Sequence, residues 1–182
     1  MSDVDFGPLQ HLIGVWKGDK GIDIAPIPGS SEDTPYFETI SIVAVGDVTN
    51  AKKQTLVVVK YHQVVSNKSD GAVFHDQIGY WTFDPETGVL TQSVNIPRAV
   101  GLLAGGNVSD KNGRVEFSVK AIDGDKDWGV VQSPFMRDNA RTVSFEHKVV
   151  VEGNVMTYEE TTVLDIYGKT FDHTDQNTLI RS

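Results

Sequence analysis

His75 and Gln77 stand two residues apart in Val73-Phe-His-Asp-Gln-Ile-Gly-Tyr-Trp-Thr-Phe83. Residues two apart on a strand share a face, so if Trp81 and Phe83 point inward, His75 and Gln77 point inward with them. A solid β core rarely holds such a pair unless each polar group finds a partner. A ligand inside a barrel would supply one; the competing reading is an inert, hydrogen-bonded histidine near a barrel mouth. His62, in Lys60-Tyr-His-Gln63, competes with His75 as a pocket residue, and Tyr61 beside it could orient a polar head group. A second constellation is Phe171-Asp-His-Thr-Asp-Gln-Asn-Thr-Leu179, whose odd positions put His173, Asp175 and Asn177 on one face. A histidine there could ligate a metal ion or haem iron, with its other nitrogen fixed by a carboxylate or carbonyl. An exposed, polar edge strand explains the same composition. His11 and His147 read as surface or helix-end residues.

Other chemistries fail on spacing. No HExxH, GxSxG or GxGxxG pattern occurs, and Gly168-Lys169-Thr170 lacks the earlier glycine of a phosphate loop, where Val163 stands instead. Asp19, Asp23, Glu159 and Glu160 suggest a carboxylate pair. Glu159 and Glu160, however, are neighbours on one strand and must face opposite ways. With no cysteine in the chain, a disulfide framework, a zinc–thiolate site, an iron–sulfur cluster and a cysteine nucleophile are all excluded.

The elements that must position these residues are short β-rich runs broken by turns. Val115, Phe117, Val119 and Ala121 alternate with polar residues, as do Val143, Phe145, His147, Val149 and Val151. Gln54–Val65, Val73–Phe83, Val89–Ile96, Val155–Tyr167 and Phe171–Arg181 read as further strands. Turn chemistry at Ser69-Asp-Gly71, Asp84-Pro-Glu-Thr-Gly88, Ser109-Asp-Lys-Asn-Gly113 and Glu152-Gly-Asn154 separates them. One short helix is expected around Pro8–Ile13, and Gly21–Pro35, with Pro26, Pro28 and Pro35, reads as a loop or interrupted strand over one end of the fold. Hairpin following hairpin, with no helical periodicity between, predicts an antiparallel barrel or sandwich.

The 182 residues suit one domain spanning 1–182. Sixteen basic against 25 acidic side chains give a net charge of −9, which argues against nucleic acid or an anionic membrane as partner. No apolar run approaches the roughly 20 residues needed to span a bilayer, and the acidic start Met1-Ser-Asp-Val-Asp5 is unlike a signal peptide. A cytoplasmic protein is expected; the oligomeric state is left open.

Three segments, in order along nearly the whole chain, carry a resemblance. Gly14-Val-Trp-Lys-Gly18 resembles the G-x-W-x-G signature of the nitrobindin family. His75-Asp-Gln-Ile-Gly-Tyr-Trp81 resembles its H-x-E-x-G-Y-W segment, with Gln77 at the acidic position, and His173 is placed like its haem-ligating histidine. The resemblance implies an all-β, up-and-down antiparallel barrel of about ten strands with a short N-terminal helix. It further implies haem b held by His173, with His75 on the distal side; the strand reading itself puts Gln77, Trp81, His62 and Tyr61 forward as pocket residues. Nitric oxide binding and peroxynitrite isomerisation would follow from such a centre. Two alternatives stand beside it: an intracellular carrier of another small hydrophobic ligand, fatty-acid-binding-like or lipocalin-like, and an enzyme using His75 and His173 as acid and base.

Overall fold

The structure is a computed structural model describing residues 4–182. Its strands are β1 (Gly14–Ile27), β2 (Ser30–Asn50), β3 (Gln54–Asn67), β4 (Val73–Phe83), β5 (Leu90–Ile96), β6 (Val100–Lys111), β7 (Arg114–Ile122), β8 (Val130–Gln132), β9 (Ala140–Glu152), β10 (Val155–Ile166) and β11 (Lys169–Arg181). Ten of them pair antiparallel with their neighbours in the order β1–β2–β3–β4–β5–β6–β7–β9–β10–β11, and β11 returns to β1. The short β8 pairs with β6 outside this ring. The expected up-and-down barrel is therefore present and closed, which leaves its ring without a free edge.

Turn residues fit the strands they join. Between β6 and β7, Asn112 and Gly113 both take positive φ, at 58° and 84°, the two-residue geometry that matches strand twist. Every strand read from the sequence coincides with an observed one, two of them overrunning it by one residue, at Val89 and at Tyr167. Three long strands had no such signal. Residues 14–50 form β1 and β2, and the stretch Gly21–Pro35, expected as a loop or an interrupted strand, is their hairpin, paired from Gly21↔Tyr36 to Ile27↔Ser30. Its pattern is inverted, with Ile22 exposed and Asp23 buried, so hydropathy alternation pointed the wrong way. In β6, Gly105 has no side chain, and the Trp128 ring covers it from outside the strand.

The helix expected at Pro8–Ile13 is a single 3-10 turn, Gly7–His11, and the one α-helix among the described residues, α1 (Pro134–Asn139), was not anticipated. The 3-10 turn plugs one end of the barrel. Leu9 and Leu12 are fully buried there, each contributing about 1.5–3 kcal/mol of apolar burial. Trp16 donates its indole N–H to the Leu12 carbonyl at 2.8 Å. The Arg181 guanidinium stacks 4.3 Å from the Trp16 ring and donates to the carbonyls of His11 and Ile13. The G-x-W-x-G segment thus closes the barrel, and the apolar core of Trp16, Trp81, Phe117, Met156 and Leu179 lies above it. Halfway up, Gly79 lets β4 approach β5 closely, because a Cβ there would sit 1.9 Å from the Ser93 carbonyl oxygen.

Candidate functional site

Above that core, at the end away from the plug, the barrel opens into a cavity of about 370 Å³, within the usual range for small-molecule sites. Its apolar wall includes Val65, Phe74, Val94, Ile96, Leu102 and Leu164, and α1 contributes Met136 at the mouth. His75, Gln77 and His173 all line this one cavity. Strand alternation brings them in, and β11 is no edge strand: it lies between β1 and β10.

His173 Nε2 lies 2.5 Å from Asp23 Oδ1 and 3.5 Å from Asp175 Oδ2. Burial disfavours the imidazolium, but the Asp23 hydrogen bond and the Asp175 charge outweigh it and raise the His173 pKa. Burial, against the attraction of His173, pushes Asp175 up to about 7. Asp23 comes from the stretch expected as a loop or an interrupted strand, and its inward placement follows from the β1 register: Asp23 pairs directly with Asp175, which pairs directly with Glu160, which pairs with His147. One row of inward side chains thus crosses four strands. Glu159, next to Glu160, points outward, as adjacency on a strand requires.

A second polar layer lies beneath. Glu38 is buried and accepts hydrogen bonds from Gln63 (2.7 Å), Asn177 (2.7 Å) and the Tyr158 hydroxyl (3.0 Å). Burial raises its carboxyl to about 7 despite these donors. Tyr158 meets the Tyr36 hydroxyl at 2.7 Å. The Tyr36 ring occupies the space beside Gly21, where a Cβ would come within 2.0 Å of it.

On the opposite wall the bonds run inward from His75. His75 Nε2 lies 3.2 Å from Gln77 Oε1, and Gln77 Nε2 donates to the Tyr61 hydroxyl at 3.0 Å. Because Gln77 presents its oxygen to the imidazole, Nε2 carries the proton and Nδ1 is the acceptor in neutral His75. Burial lowers the His75 pKa, so the ring is neutral. Gln92 accepts from His147 Nδ1 at 3.0 Å, and burial pushes the His147 pKa down to about 3. At the rim, Arg98 Nη2 donates to the Phe74 carbonyl at 3.3 Å.

Several expected residues land elsewhere. His62 is on the outside of β3, paired with Asp76 at 3.1 Å, because it alternates with the inward Tyr61 and Gln63. Tyr61 and Trp81 belong to the packed core under the cavity; Tyr61 reaches the site through Gln77, and Trp81 packs on the His147 ring. His147, read as a surface residue, is interior. Asp23, Tyr36, Glu38, Tyr158 and Glu160 were not singled out as pocket residues, although Tyr36-x-Glu38-x-Ile40 and Met156-x-Tyr158-x-Glu160 place both glutamates on apolar faces.

Comparison with known proteins now adds to this geometry. Residues 5–181 match the family described as THAP4-like, heme-binding beta-barrel domain. No curated protein matches the sequence. Among solved structures, Rv2717c from M. tuberculosis is similar at a TM-score of 0.73 and 19% identity, covering 99% of both chains, a likeness that bears on the fold. With the match spanning nearly its whole length, the chain belongs to the THAP4-like, haem-binding β-barrel domain family.

Proposed function

We propose that the cavity takes haem b, which His173 would hold through its imidazole while His75 faces the same space. The observation that carries this reading is that His75 and His173 line one cavity with an apolar wall. The residues fit the group. Val65, Phe74, Val94, Ile96 and Leu102 would remove the porphyrin faces from water, and Arg98 at the rim suits a propionate. His173 supplies an imidazole donor.

Bound haem would supply an iron centre for a small ligand such as nitric oxide or peroxynitrite, the pocket controlling access and polarity. The chain's own residues prepare that environment. To present the Nε2 lone pair, His173 must carry its proton on Nδ1, and Asp23 must give up its contact with Nε2. His75, neutral and fixed as the Nε2–H tautomer by Gln77, offers an acceptor at Nδ1 without adding charge. Tyr36 and Tyr158 keep their phenols protonated, since burial raises both pKa values. No described helix is long and apolar enough to cross a membrane.

Hemin titration followed at the Soret band tests the reading in wild type and His173→Ala together. A saturable one-to-one shift in wild type, weakened at least tenfold or lost in the variant, is expected. Equal binding by both proteins removes His173 from the role.

The hold of Asp23 on His173 favours a second reading, a carrier of another small hydrophobic ligand with its polar head toward His75 and Gln77. Native mass spectrometry of freshly purified protein separates the two, as a haem adduct or a lipid adduct.

A further inference from the structure

The inner wall of β1, β11 and β10 gathers three carboxyl groups in one buried row, where burial favours the neutral form of Asp175 and Glu160. Asp23, Asp175 and Glu160 are directly opposed in consecutive pairs across these three strands. Directly opposed residues bring their Cβ atoms to about 4.5–5.5 Å, a destabilising spacing for like charges. The Asp23 side chain is 10% exposed and that of Glu160 13%; both line the cavity. The Glu160 carboxylate receives no hydrogen bond from a described residue. His147 Nδ1 is 3.9 Å away and bonded to Gln92. Arg98, the other cation lining the cavity, bonds a backbone carbonyl and makes no ion pair with the row. Among the described residues, His173 is the base that reaches Asp23 and Asp175, its Nε2 standing between them.

One ligand atom from each of Asp23, His173 and Asp175 lies within 4.8 Å of the others. Imidazole nitrogen with two carboxylate oxygens is a donor set for divalent first-row metals, and a third carboxyl, that of Glu160, lies next along the row. We propose that Asp23, His173 and Asp175 bind one divalent metal ion of the zinc type. This inference goes beyond the haem reading and does not rest on it. Because both ligands need the His173 Nε2 lone pair, haem and the metal ion exclude each other.

The test is calorimetric titration of haem-free protein with zinc chloride, using wild type, His173→Ala, Asp175→Asn and, as a control on the outer wall, His62→Ala. Wild type and His62→Ala are expected to bind one ion saturably. Affinity should fall at least tenfold in His173→Ala and Asp175→Asn. Thermal melting of the same samples covers folding: zinc should raise the melting temperature of wild type and leave that of Asp175→Asn unchanged. No saturable uptake by wild type overturns the site, as does affinity unchanged in both inner-wall variants or lost in His62→Ala. A hemin titration with and without zinc keeps the two readings apart. Slower, weaker haem uptake in zinc supports competition at Nε2. Zinc uptake without any haem binding leaves the metal site standing and sinks the haem reading, whereas haem binding without zinc uptake sinks the metal site alone.

Discussion

At the scale of single residues, the interior is set by how burial and hydrogen bonding divide the titrating groups. His147 stays neutral because its pKa is depressed to about 3 by burial. Its contribution to stability is present above the unfolded value near 6.5 and is lost as pH falls toward 3, since the unfolded chain takes up the proton first. At pH 5 that loss is about 1–2 kcal/mol. His147→Gln keeps a polar partner for Gln92 and removes the titration. Urea unfolding of wild type and variant at pH 5 and pH 7 is expected to show a smaller acid loss in the variant; an equal loss would place the acid sensitivity in other groups. Glu38 acts in the opposite sense. Its folded pKa is raised to about 7, so its contribution is present below the unfolded value near 4.5 and is lost as pH rises through about 7. The two groups together place the stability maximum on the mildly acid side of neutrality.

At the scale of elements, the barrel depends on close approaches that only certain positions allow. Gly79 is where β4 and β5 come together, its pro-Cβ direction filled by the Ser93 carbonyl and the Tyr61 ring. Tyr61 in turn donates to that same carbonyl at 3.0 Å and accepts from Gln77. Gly79→Ala has no flexible neighbour to displace, since the nearest atom is backbone. A cost of about 3 kcal/mol is expected from the forced separation, measured as a drop in the denaturant midpoint. Because Gln77 hangs from the same seam, hydrogen exchange on β4 and β5 should rise together in the variant. Protection unchanged on β5 would mean the strand accommodates the methyl without opening.

At the scale of the whole molecule, the two ends of the barrel divide the work. The plugged end carries stability: the 3-10 turn, Trp16 and Arg181 tie the start of the described chain to its last strand. The open end carries the cavity and the carboxylate row. Arg181→Lys loses the planar stack on Trp16 and the forked contact with two carbonyls, at about 1–2 kcal/mol. A lower melting temperature with unchanged hemin affinity is expected, because well-separated sites act additively. Altered hemin affinity in that variant would show the ends to be coupled.

The sequence by itself determined which faces point inward wherever alternation was clean. It placed His75 and Gln77 on the Trp81 face of β4, His173, Asp175 and Asn177 together on β11, and Glu159 and Glu160 on opposite sides of β10. The ordered G-x-W-x-G, His75 and His173 segments pointed to the barrel before any coordinates. What it did not reveal is as physical. The β1–β2 hairpin hides because its polar residues face in at the mouth, where a cavity rather than a packed core lies behind them. His62 misled because period 2 sorts residues into two faces without saying which is inner. Only the tertiary structure decided that Asp23 stands opposite Asp175. Those residues meet because the first strand closes on the last, and register across a closing seam is fixed by the whole ring of strands, not by either strand alone.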